Sequence, residues 1–216
     1  VVACPYRGYG GESGGVHFPV PLHEAVAALR YLRKNAESIG IDPSKIAAMG
    51  VSSGGWFASM LAVSTSSKFQ ESALLGSVGG GELQSTSSSV CCALDFFGPM
   101  DLELMEIELK RPDGGYWQLL GSSVGRGEEG MEALRKASVV TYLHKDVPPI
   151  FVAHGDQDEQ VPISQSEALV KRLKEHDISH EYHVLKGAKH GGRDFFMPEL
   201  QEKILAFLKK NCPADA

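Results

Sequence analysis

Two serines in this chain sit in the same glycine-flanked pattern. The stretch "GESGG" runs from Gly11 to Gly15 and "GVSSGG" from Gly50 to Gly55. Both fit the glycine-x-serine-x-glycine signature that lifts a hydroxyl clear of the backbone on a sharp strand-to-helix turn. A serine hydroxyl is a poor nucleophile at neutral pH and needs a histidine to take its proton, oriented in turn by a carboxylate. Context separates the two matches. The strand candidate Lys45–Met49 leads into Ser52 and the helically spaced "WFASMLAVS" follows it, whereas the "VHFPVP" after Ser13 cannot open a helix. Ser52 is therefore the expected nucleophile and Ser13 an ordinary loop serine. Gly50 and Gly54 are the expected elbow glycines, at positions where a side chain would collide with the neighbouring elements.

In a wound α/β sheet, functional groups gather at the carboxyl ends of the strands. "HGDQDEQVP" follows the apolar run Ile150–Ala153, and "KGAKHGG" follows Glu181–Leu185. Asp158 and His190 complete the chain order serine, acid, histidine. Asp156, two residues before Asp158, is a rival for the acid, and His154 is expected to pack or to bond to backbone.

These residues need a scaffold, and the periodicity supplies one. Val1–Cys4 reads as a short strand running into a glycine- and proline-rich loop. Leu22, Ala25, Val26, Leu29, Leu32 and Ala36 share one helical face before Gly40 and Asp42-Pro43 stop the helix. Residues 76–89 read as a Gly/Ser-rich surface loop; Gly79–Gly81 is no phosphate cradle, since no Gly-Lys-Ser/Thr follows. Val90–Phe97 is a buried strand, and 98–147 a mixed segment with Tyr116 and Trp117, a possible insertion or lid over the sheet. Ser164 and Glu167 are spaced as a capping box for a helix to about His176, and Pro198–Lys210 forms a last helix. Alternating strands and helices imply a mostly parallel sheet covered on both faces, with residues 1–216 as one catalytic domain.

Composition excludes other classes. The 216 residues carry a net charge of -6 with 43% apolar residues, and the cations are scattered, so no nucleic-acid or anionic-membrane partner is expected. No apolar run is long enough for a membrane span. The four cysteines are too few for a disulfide framework, and Cys91 and Cys92, adjacent in an apolar run, read as buried free thiols. No metal-ligand spacing appears, and the chemistry calls for no cofactor.

In combination, "PYRGYG", "GIDPSKIAAMGVSSGGW", "LDFFGPMDL", "PPIFVAHGDQDEQVPISQSEALVKRL" and "GAKHGG" make the chain resemble the α/β-hydrolases, and among them small bacterial carboxylesterases similar to feruloyl and acetyl esterases. The resemblance spans nearly the whole chain. It implies Ser52 as nucleophile, Asp158 as the acid, His190 as the base, and the backbone N–H of Ser53 as one oxyanion donor. It also implies a small-molecule ester as the substrate, and names neither oligomeric state nor compartment. His190-Gly191-Gly192 is not the HGGG-type oxyanion loop, which precedes the serine in these enzymes, and no histidine follows His190 to act as base.

The resemblance also places three strands and that HGGG-type loop ahead of the strand matching Val1–Cys4, and no such residues occur in this sequence. The expected second oxyanion donor is accordingly missing. A fragment or a shortened natural variant is the favoured explanation, ahead of a partner-supplied piece or direct pairing of Val1–Cys4 with Lys45–Met49. Two rival functions stand beside ester hydrolysis: a prolyl-oligopeptidase-type serine peptidase, which has similar "YRG" and "HGxxDxxVP" stretches, and a non-catalytic binding protein of the same fold.

Overall fold

The computed structural model describes residues 1–8, 15–65, 69, 74, 78, 81–111, 115–121 and 124–212. Ser13 and the Gly79–Gly80 pair lie outside them. Four parallel strands form one sheet in the order β1 (Ala48–Val51), β2 (Ala93–Phe96), β3 (Ile150–Gly155) and β4 (His180–Leu185). The central strands β2 and β3 are buried along their whole length, as expected where helices cover both faces.

The two-residue period of a strand divides the core. Ala93, Ile150 and Val152 face one hydrophobic cluster, and Leu94, Phe96, Phe151 and Ala153 face the other. The first cluster is covered by α1 (Val20–Lys34), whose Leu22, Val26 and Leu29 are buried, and by the helix Ser53–Val63. The short helix α2 (Ala36–Ile39) follows α1 and ends at Gly40, in the left-handed conformation at φ 74°. Ser53–Val63, α3, is buried almost all round, so it serves as an internal layer and not as an amphipathic cover.

A single turn, α4 (Gly81–Gln84), interrupts the expected 76–89 loop. Three helices then build the segment after β2: α5 (Leu102–Leu109), α6 (Gly115–Leu120) and α7 (Glu128–Lys136). Asp101 caps α5 by accepting the Leu104 amide at 3.0 Å. These helices share a third cluster in which Leu102, Met105, Tyr116, Trp117 and Leu134 meet Val161. The helix α8 (Ser164–Glu175) completes the first face with Leu169, Val170 and Leu173. On the opposite face α9 (Pro198–Asn211) buries Leu200, Ile204 and Phe207.

Four expectations are corrected. Val1–Cys4 is not a strand: it is exposed and joins no ladder. Nor does it pair with β1, because a cavity of about 240 Å³ separates Val2–Tyr6 from Ala47–Met49. A four-residue run gains strand conformation only from a paired neighbour, and this one has none. Among the described residues β1 pairs only with β2, and its Met49 is 62% and its Val51 53% exposed.

Cys91 is not a free thiol but is bonded to Cys212, 121 residues away. Docking of α9 on the sheet brings the two together, a long-range event with no local signal. Cys92 remains free and buried, its thiol pushed up to about 11 by burial.

The capping box fails, since Ile163 occupies the N-cap position and the Ser164 hydroxyl donates instead to Glu108 at 2.6 Å. The helix begins one residue earlier than the pattern implies, so Ser164 lies inside its first turn and its hydroxyl is free to donate across the fold. The fourth correction concerns the elbow glycines and belongs to the site.

Candidate active site

The carboxyl ends of the strands converge on one cleft. After β1, Ser52 stands at φ 52°, ψ -122°, a backbone conformation that a side chain adopts only when the surroundings enforce it. The enforcement is visible in the bonds. The Ser52 amide donates to Phe96 O on β2 at 2.8 Å, and Gly55 and Trp56 donate to Ser52 O at 2.9 and 3.2 Å, starting α3 at once. A Cβ at Gly50 would overlap the backbone of Gly54. A Cβ at Gly54 would meet nothing, whereas one at Gly55 would strike the carboxylate of Asp95. The steric need is therefore at Gly50 and Gly55, and not at Gly54 as expected. The helix turns away from the strand directly above position 50, and position 55 is where it passes over β2.

Asp158 and His190 are carried by two turns. After β3, Asp158 is buried; its Oδ1 accepts the amides of Gln160 and Val161, both at 2.9 Å, and its Oδ2 accepts from His190 Nδ1 at 2.7 Å. His190 Nε2 lies 2.9 Å from Ser52 Oγ. The carboxylate accepts a hydrogen bond from Nδ1–H, which leaves Nε2 to accept from the serine hydroxyl. Asp156, the rival, instead accepts the Gly187 amide at 2.7 Å and ties the two turns together. Gly191 and Gly192, at φ 81° and 107°, carry the chain away from His190 through conformations that favour glycine.

Phe97, His154 and Asp95 frame this arrangement, and of these only His154 was singled out in the sequence. The ring of Phe97, itself at φ 48°, stands edge-on to His190 with centroids 4.8 Å apart. Fully buried His154 lies next to Asp158. Its Nε2–H donates to Val161 O at 2.9 Å and its Nδ1 accepts from Ser166 Oγ at 2.7 Å. Burial holds its pKa below the ordinary histidine value, so His154 is a neutral brace for the acid turn, as its expected backbone bonding implied.

Asp95, beneath the elbow, is fully buried; Oδ1 accepts the Gly98 amide at 2.9 Å and Oδ2 has no partner among the described residues. Burial pushes it up to about 7. Only its place in an apolar strand hinted at this, because a carboxylate there must be neutralised or partnered.

Ser52 and His190 open onto a cavity of about 420 Å³, walled by Trp56, Phe57, Leu102, Met105, Tyr116 and Leu119. Tyr116 reaches the cavity while its hydroxyl donates to Glu106 at 2.8 Å. Trp117 is a core residue, bonded to the same carboxylate and covered by Arg126 5.4 Å above its ring. Of Tyr116 and Trp117, only Tyr116 borders the cavity.

The family model BD-FAE matches residues 1–173. The chain belongs to the BD-FAE family. Among curated proteins, esterase LipQ of Mycobacterium tuberculosis is 26% identical over 160 residues, covering 73% of this chain and 35% of LipQ. The chain thus spans about a third of the length of that relative, and 34% of the probable carboxylic ester hydrolase LipM. Among solved structures, a truncated carbohydrate esterase from gut microbiota matches with a TM-score of 0.79 and 26% identity, over 92% of this chain and 70% of that one. This family member therefore has the expected α/β-hydrolase architecture. Among its described residues no helix is long and apolar enough to cross a membrane.

Proposed function

We propose that this chain hydrolyses carboxylic esters through an acyl-serine intermediate. Ser52 Oγ attacks the ester carbonyl as His190 Nε2 takes its proton, and Asp158 holds the resulting imidazolium. Ser53 is the first residue of α3 and its N–H has no intrahelical acceptor, so it is available to the tetrahedral oxyanion. Collapse breaks the carbon–oxygen bond to the alcohol, which leaves with the proton from His190. Water then gives a proton to His190 and attacks the acyl carbon, and the acid departs as Ser52 regains its proton.

The observation that carries this reading is the unbroken relay from Asp158 Oδ2 through His190 to Ser52 Oγ, at 2.7 and 2.9 Å, opening on a mainly apolar cavity. The cavity suits an apolar acyl group of modest size. The names of the relatives, esterases and a carbohydrate esterase, support an O-acyl ester as the substrate class. Incubation with a fluorophosphonate, followed by intact mass and peptide mapping, tests it. Labelling should fall on Ser52 and vanish in His190→Ala, and a short acyl ester should turn over faster than a dipeptidyl amide. A folded protein whose Ser52 stays unlabelled would sink the reading, and a preferred amide would point to a peptidase.

A further inference from the structure

The nucleophile elbow carries a second hydroxyl pair. Tyr6 Oη lies 2.6 Å from Ser53 Oγ, and both residues border the cavity that holds Ser52 and His190. The two hydroxyls have two protons between them, and their mutual hydrogen bond consumes one. Whichever oxygen accepts, the other proton remains free at the cavity wall, beside the residue whose backbone N–H is the oxyanion donor. We propose that the Tyr6–Ser53 pair supplies this O–H to the oxyanion of the tetrahedral intermediate, making Tyr6 a catalytic residue of the ester hydrolysis proposed above, on which this inference rests.

The position of Tyr6 is built. Its ring packs on Phe57 of α3 with centroids 4.3 Å apart, so the same helix carries Ser53 and the platform for the tyrosine. The next residue, Arg7, donates its amide to Glu24 of α1 at 3.0 Å and pairs with that carboxylate through its side chain. A phenol fixed in this way gives up little freedom on meeting a developing charge. Such preorganisation is where an oxyanion donor gains its effect. The unfavoured backbone at Ser52 serves the same end, since it starts α3 at the next residue and sets Ser53 against Tyr6.

Tyr6→Phe keeps the ring on Phe57 and removes only the hydroxyl. Hydrolysis of a short acyl ester by the 216-residue chain should fall about 100-fold in kcat, the lower end of the effect of losing one oxyanion donor. KM and the thermal midpoint should stay at their wild-type values. Ser53→Ala approaches the same bond from the other side and keeps the backbone N–H. It should lower kcat about tenfold, with no further loss when combined with Tyr6→Phe, because the pair acts as a unit.

A third readout is the gain in thermal midpoint on phosphonylation of Ser52, which places a tetrahedral oxygen at the oxyanion position. That gain should shrink in Tyr6→Phe, which a merely structural role would not cause. Wild-type kcat in both variants, or a loss carried by KM or by a lowered midpoint, would overturn the role of Tyr6 while Ser52→Ala remained inactive. An active Ser52→Ala, or an inert wild-type chain, would remove the esterase reading and this inference with it.

Discussion

The two sides of the active cleft are held in different ways. Asp158, the proposed acid, follows the buried strand β3, and His190, the proposed base, follows β4 at one end of the described sheet. Asp158 there accepts three hydrogen bonds of 2.9 Å or less and is braced by buried His154. Ser52, the proposed nucleophile, follows β1 at the other end of the described sheet, beside the coil around Tyr6, which is tied by one hydroxyl pair, one ring contact and the Arg7–Glu24 pair. Buried, saturated groups resist displacement because an orphaned carboxylate is costly, whereas exposed pairs are individually weak. Placement of the base should therefore be robust, and support of the oxyanion should depend on a few surface contacts.

The largest effect that would break this contrast lies on the buried side. His190→Ala should lower ester turnover by about 10⁶-fold and Asp158→Asn by about 10⁴-fold, the latter through loss of the Nδ1–H tautomer; steady-state kinetics on a short acyl ester measures both. An Asp158→Asn enzyme within tenfold of wild type would mean that another group orients His190.

Next come the elbow glycines, compared by thermal unfolding. Gly50→Ala should destabilise by about 3 kcal/mol, the upper end of overpacking costs, because the obstacle is backbone that cannot swing aside. Gly54→Ala should be neutral or stabilising by up to about 1 kcal/mol, since its Cβ meets open space inside a helix.

Asp95 gives a pH test of the floor beneath the elbow. Its folded pKa of about 7 lies above the ordinary aspartate value near 3.9, so the folded state holds a proton that the unfolded chain releases. The stability this gives is full below about pH 4, declines as pH rises toward 7 and is gone above it. Asp95→Asn should abolish this decline, giving a midpoint above wild type at pH 8 and a gap that closes toward pH 4. A pH-independent gap would place the effect in packing.

The smallest effect sharpens the surface side. Glu24→Ala removes the Arg7 tie and should scarcely move the melting point. Ester turnover should fall modestly through Tyr6, in a salt-insensitive way, if the ring on Phe57 alone does not hold the phenol.

Much of this fold was legible in local patterns. The buried β2 and β3, the alternating helices and the Ser52 turn appear as apolar runs, helical periods and a glycine-flanked serine, each set within a few residues of chain. Asp158 and His190 stood at the predicted strand ends, because strand ends in such sheets are where loops meet. Boundaries shifted, with β1 at Ala48–Val51 and not Lys45–Met49, since ladder register with β2 decides where pairing begins.

Which partner each polar group met was settled by packing across the fold. Asp156 and Asp158 differ by two positions in one turn, yet one carboxylate bonds to His190 and the other to the Gly187 amide. Cys91 met Cys212, Ser164 met Glu108 and Tyr6 met Ser53. The physical reason is range: a strand, a helix or a tight turn is selected by neighbours along the chain, while hydrogen bonds and disulfides are selected by geometry among groups that packing brings together from 31 to 121 residues apart.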